Sequence, residues 1–183
     1  MFRYDGNLVQ IRDAVDKAND TTVRKKLKAA IEGATFDMST ASSDYLAKEF
    51  MNFTDEIMAI RSRVITIRTY RKKFSRAIAY FTHNRPHDIN INTAKLNRTT
   101  GSIVGTLYHE AAHMFDHSDK THSFGHGSNS KDGKQNTFPY KVGALVQAIV
   151  DDSTPDYNNT ENHDIATKTT LWETIKRFFR GLF

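Results

Sequence analysis

The sequence predicts an α+β fold. Two observations carry that class. Apolar residues recur at helical spacing through the first 60 positions and again from about position 99. Between them, from Val64 to about Leu96, lie β-branched runs and a polar/apolar alternation of period two, which is strand patterning. Helices and strands are grouped in blocks instead of alternating. That grouping points to a small mixed sheet with N-terminal helices before it and further helices after it.

Each element has its own justification. Leu8, Ile11, Val15 and Ala18 form a first apolar stripe, and Asn19-Asp20-Thr21 ends it and can cap the next helix. Val23, Leu27, Ala30, Ile31 and Ala34 form a second stripe. Ser42 or Ser43 opens a third segment with Tyr45, Leu46, Phe50, Phe53, Ile57 and Ile60. Val64 to Tyr70 reads as a strand, Ala77 to Thr82 as a second, and Pro86 marks a turn. Asp88-Ile89-Asn90-Ile91-Asn92-Thr93 alternates, as a strand with one buried and one exposed face does. Thr99 or Thr100 then starts a helix. Ile103, Leu107 and Met114 pack on one side of it, and Val104, Tyr108 and Ala111 widen that face. Residues 116–137 read as a polar loop, long enough to be functional or disordered. Pro139 opens a helix from Tyr140 to Ile149, residues 151–164 form an acidic, Asn-rich connection, and residues 165–183 form a basic amphipathic helix. The chain thus reads as a single domain: a helical scaffold over 1–60, a core carrying the chemistry over 64–150, and a terminal helix.

Composition removes several function classes. The 183 residues contain no cysteine, which excludes disulfides, thiolate metal ligands and a cysteine nucleophile. No apolar run is long enough to span a bilayer. The N-terminus carries no apolar signal-peptide core, so the expectation is a cytosolic chain, one exported without such a signal, or one that begins after it. The formal charge of +5 reads as a solvated basic surface, because no nucleic-acid-binding motif accompanies it.

The chemistry sits in His109-Glu110-Ala111-Ala112-His113, an H-E-x-x-H pattern. Residues four apart share one face of a helix, so His109 and His113 can reach one metal ion, and Glu110 can take a proton from an activated water. Five of the eight histidines fall between positions 109 and 126, which lifts the motif above a chance match. The third ligand is expected among His117, His122 and His126, with Asp116 and Asp119 behind them. Eight residues of straight helix rise about 12 Å, while zinc–nitrogen bonds are about 2.0–2.1 Å. His117 is therefore disfavoured. His126 is preferred because Gly125 and Gly127 flank it and let a loop fold back; His122 stays open as an alternative. Tyr140 is the candidate oxyanion donor, although a packed core tyrosine is the plainer expectation. Tyr108 is expected beneath the helix, and His83 and His87 at the surface beside a turn.

These residues resemble the zincin metallopeptidases. The resemblance covers roughly residues 64 to 150 and is specific at H-E-x-x-H. It implies a zinc-dependent peptidase acting on peptide or protein substrates, with zinc on His109, His113 and His126 and Glu110 as general base. It also implies an edge strand, antiparallel to the bound peptide, just before the motif helix; Asp88 to Leu96 is the expected counterpart. Gly125 and His126 partly match the metzincin extension, but their spacing differs and no methionine follows Met114. Glu161 and Glu173, the glutamates after Glu110, lie in no gluzincin-like motif, and an aspartate ligand of the aspzincin kind stays open. Peptide deformylases share H-E-x-x-H but use a cysteine ligand, which this chain lacks. Two rival readings are a non-catalytic binding or toxin-like module with a structural or vestigial metal site, and a basic protein that contacts membranes through its C-terminal helix.

Overall fold

The computed structural model describes residues 1–36, 43–59, 64–118 and 137–157. Its elements run β1 (Phe2–Arg3), α1 (Val9–Asn19), α2 (Thr21–Glu32), α3 (Ser43–Ala59), β2 (Ile65–Tyr70), β3 (Ala79–Thr82), β4 (Arg85–Asn92), α4 (Thr100–Ser118) and α5 (Phe138–Asp151). The α+β class holds, with five helices and a four-stranded mixed sheet among the described residues. The terminal helix expected over 165–183 lies outside the described residues.

The three scaffold helices form where the apolar stripes place them. Asp20 caps α2, accepting hydrogen bonds from Thr22 N–H at 2.8 Å and Val23 N–H at 3.0 Å. The Val23 bond does most to hold its carboxyl below the ordinary value of 3.8; desolvation opposes this, and Thr22 and Lys17 assist. The folded value is depressed, so the stabilisation is present above 3.8 and is lost as pH falls through the lower folded value. Asp20→Ala should therefore destabilise the protein at neutral pH, and the penalty should shrink in strong acid. Denaturant titrations at both pH values check this.

Strand β1 is an element that helical patterning in the first 60 residues did not announce. It is two residues long and pairs parallel with β2, Phe2 opposite Ile65. The Asn19 side chain fixes it, accepting from Phe2 N–H at 3.0 Å and donating to Phe2 C=O at 2.9 Å. The Phe2 ring then packs edge-on against Tyr108, with centroids 5.2 Å apart.

The sheet order is β1-β2-β4-β3. β2 and β4 are parallel, with Ile67 opposite Ile89, and β3 runs antiparallel to β4, with Tyr80 opposite Asn90. This corrects the expectation that Asp88 to Leu96 forms the sheet edge. β4 lies between two strands, ends at Asn92, and is followed by a short 3-10 turn, Thr93–Lys95. Nor does β4 have a solvated face: Asp88 and Asn92 are buried along with Ile89 and Ile91. Their polarity is used internally. Asp88 pairs with Arg68 on β2. Asn92 bonds the backbone of the β2–β3 connection, accepting from Lys72 N–H at 3.0 Å and donating to Lys72 C=O at 2.9 Å and Ala77 C=O at 3.1 Å. Asn92→Ala would strip these backbone groups, Ala77 C=O among them buried, of their side-chain partner. We expect a loss of about 2–4 kcal/mol in equilibrium unfolding. Pro86 also departs from its expected role: the turn is at His83–Asn84, and Pro86 lies in the first residues of β4.

Phe50 ties the scaffold to the later helices. Its ring meets Tyr108, Phe115 and Phe138 at centroid distances of 6.2, 5.8 and 5.2 Å. Tyr108 is fully buried, as expected, and its hydroxyl donates to Ala18 C=O at 2.8 Å and accepts from Arg24 at 3.1 Å. Helices α1 and α3 therefore pack against α4, α2 packs against α3 and α5 and reaches α4 through Arg24, and the sheet lies against α4 as well.

Candidate metal centre on helix α4

Helix α4 starts at a built cap. Thr99 Oγ1 accepts from Ser102 N–H at 3.0 Å. Asp151, at the end of α5, accepts from Thr99 Oγ1 at 2.7 Å and from Gly101 N–H at 3.1 Å. A carboxylate at a helix N-terminus satisfies open N–H groups and complements the helix dipole. Arg98 adds a bond to Thr106 Oγ1 at 2.6 Å. From Gly101 to Ala112 every residue is buried, so α4 is a core helix and not a surface helix with one apolar stripe.

Burial places the motif's side chains in unusual surroundings. His109 is 0% exposed and Glu110 1%, while His113 is half-buried and forms the approach from outside. The two Nε2 atoms converge to 3.1 Å, with ring planes 79° apart. Two tetrahedral ligands at zinc–nitrogen distances of about 2.0–2.1 Å hold their nitrogens about 3.3 Å apart. The observed spacing is within a few tenths of an ångström of that value. Imidazole nitrogen is also a donor that suits zinc. The two nitrogens are within hydrogen-bond distance of each other, and their spacing and chemistry fit two of the ligands of the ion that the motif implies.

Tyr140 reaches this pair. It is buried, and its ring stands edge-on to His109 at 4.6 Å. Two glycines make that approach possible. A Cβ on Gly105 of α4 would lie 2.8 Å from Gly143 C=O on α5, and one on Gly143 would lie 3.0 Å from Gly105 C=O and 3.5 Å from His109 Cβ. Backbone therefore meets backbone one turn before His109. A cavity of about 210 Å³ opens along this seam, lined by Gly105, Tyr140, Gly143, Gln147, Ser153 and Asp156.

Patterning missed two tyrosines on the sheet side. Tyr70 ends β2, Tyr80 lies on β3, and their rings pack at 5.1 Å. Burial pushes the Tyr70 phenol up to about 12, with Tyr80 and then the Glu110 charge adding to it. Tyr70 is therefore within electrostatic reach of Glu110. No spacing rule links residue 70 to residue 110; the sole sequence signal is that aromatic residues sit on strands preceding the motif helix.

The remaining candidates divide clearly. His117 stays on the helix, which runs to Ser118, and stacks on His83 at 4.2 Å with planes 15° apart. That contact turns it toward the β3–β4 turn. His83 is exposed and His87 half-buried. Among the described residues no group of three or more His, Asp or Glu side chains is placed to hold a metal. His122, His126 and Asp119 lie outside the described residues. Compared with protein-family models, curated proteins and solved structures, the chain matches none.

Proposed function

We propose that this chain is a zinc-dependent metallopeptidase with a zincin-like architecture. The observation that carries the reading is the 3.1 Å convergence of His109 and His113 Nε2 beside the buried Glu110. A chance H-E-x-x-H on a solvated helix would have neither feature. When bound, zinc would supply Lewis acidity and bring the pKa of water down to about 7.

The chain's own groups do the rest. His109 and His113 hold the ion, with His126 proposed as the third ligand. Glu110 accepts the proton of the attacking water and delivers it to the leaving amine. Tyr140, held against His109, is the proposed donor to the carbonyl oxygen as it gains charge. The substrate strand is assigned to β3. The zincin resemblance implies an antiparallel edge strand beside the motif helix, and β3 has that position: it pairs with β4 on one side, and Phe81 lies 5.7 Å from His117 of α4. Peptide backbone adding to its outer edge would bring the scissile bond across the histidines.

A fluorogenic peptide library tests this. The zinc-loaded chain should cleave a subset of the peptides, lose that activity with a chelator, and regain it with added zinc. Zinc binding without cleavage of any peptide would favour the non-catalytic binding module instead.

A further inference from the structure

Independently of the metal site, we infer that the β2–β3 connection docks the protein onto an anionic phospholipid surface. At its tip Phe74 is 93% exposed, far beyond the next large apolar residue, Val9 at 59%. Arg71, Lys72, Lys73 and Arg76 surround it, all exposed and none in an ion pair among the described residues. From Val64 to Asp88 the sequence holds six Lys and Arg and one acidic residue; Asp88 pairs with Arg68 and Arg85, which leaves Arg71, Lys72, Lys73 and Arg76 as a cluster of four cations around Phe74.

The loop is also built, not loose. Ser75 N–H donates to Lys72 C=O at 3.2 Å and closes the turn. Ser75 Oγ accepts from Ala77 N–H at 3.1 Å. The fully buried Asn92 grips both ends of the connection through Lys72 and Ala77. These bonds, one of them buried, thus fix a convex tip that presents one aromatic ring between cations. A convex tip fits a deformable surface. An acidic peptide would need a groove, and a single-stranded nucleic acid would need successive stacking platforms, whereas this loop offers a single ring. On a lipid surface the ring enters the interfacial layer while the cations stay with the phosphates. Each such cation strengthens binding about five-fold at low salt.

Co-sedimentation of the full chain with vesicles tests the inference. The protein should sediment with phosphatidylcholine vesicles containing phosphatidylserine, and not with phosphatidylcholine alone. Phe74→Ala should weaken binding about ten-fold, and Lys73→Glu with Arg76→Glu should remove it. In a Trp172→Phe background, Phe74→Trp should shift its emission to the blue with anionic vesicles and be quenched by brominated lipid. Equal sedimentation of Phe74→Ala and wild type would overturn the inference and move binding elsewhere, such as to residues 165–183. So would absence of vesicle binding, oligonucleotide binding that depends on Phe74 in its stead, or vesicle-free self-association that Phe74→Ala abolishes.

Discussion

Glu110→Gln should leave zinc affinity unchanged and lower peptide hydrolysis by about 10²–10⁴-fold. Glutamine keeps the shape and the polar atoms of the buried side chain but cannot accept the water's proton. Glu110 is 1% exposed and sits one residue from His109, so bulk water cannot readily replace it as the base. Steady-state kinetics should show the loss in kcat with little change in KM, because the proton moves only on the way to the transition state. Thermal unfolding of the zinc-loaded variant should match wild type. Full activity in Glu110→Gln would remove Glu110 from the chemistry, whatever the metal does.

Gly105→Ala should damage fold and site together. The new methyl would lie 2.8 Å from Gly143 C=O, which is backbone and cannot rotate away. The helices must separate, at a cost of about 1–3 kcal/mol. Separation moves α5, and with it Tyr140, away from His109, so residual activity should fall even at temperatures where the variant is folded. Gly143→Ala meets Gly105 C=O at 3.0 Å and should act the same way, more mildly. Gly33→Ala is the control. Its methyl would meet nothing nearer than Ala29 C=O at 3.8 Å, and its φ of −85° is ordinary, so alanine there should be neutral or stabilise by up to about 1 kcal/mol. Thermal melts of the three variants separate tight packing from general intolerance of alanine.

What could be read from the chain follows the range of the forces involved. The H-E-x-x-H pair was legible because four-residue spacing on a helix is local geometry, and the structure brings the two nitrogens together. The caps at Asp20 and Thr99 were legible for the same reason. Sheet order was not. The alternation in Asp88 to Asn92 marks a strand, but which strands flank it depends on tertiary pairing. Asn92 looked like a solvated position and is buried, because its amide is consumed by the β2–β3 connection. β1 is two residues long, too short to show a period, and depends on Asn19 from the next element.

Gly105 and Gly143 carried a signal that went unused. Glycine inside a helix costs about 1 kcal/mol against alanine, so one in each of two successive helices points to a close crossing. Tyr70 carried almost none, since its relation to Glu110 joins a strand to a later helix. His126 lies outside the described residues, so its place as third ligand rests on the chemistry of the sequence.

Zinc titration of wild type, His109→Ala and His113→Ala by calorimetry, followed by hydrolysis assays on the same samples, tests the metal centre most directly. Wild type should bind one zinc per chain, and each substitution should weaken binding by more than about 100-fold, beyond what the loss of a supporting hydrogen bond would do. Hydrolysis should disappear with the metal. Zinc binding of undiminished affinity in either variant, or hydrolysis that continues without zinc, would contradict a metallopeptidase site on His109 and His113.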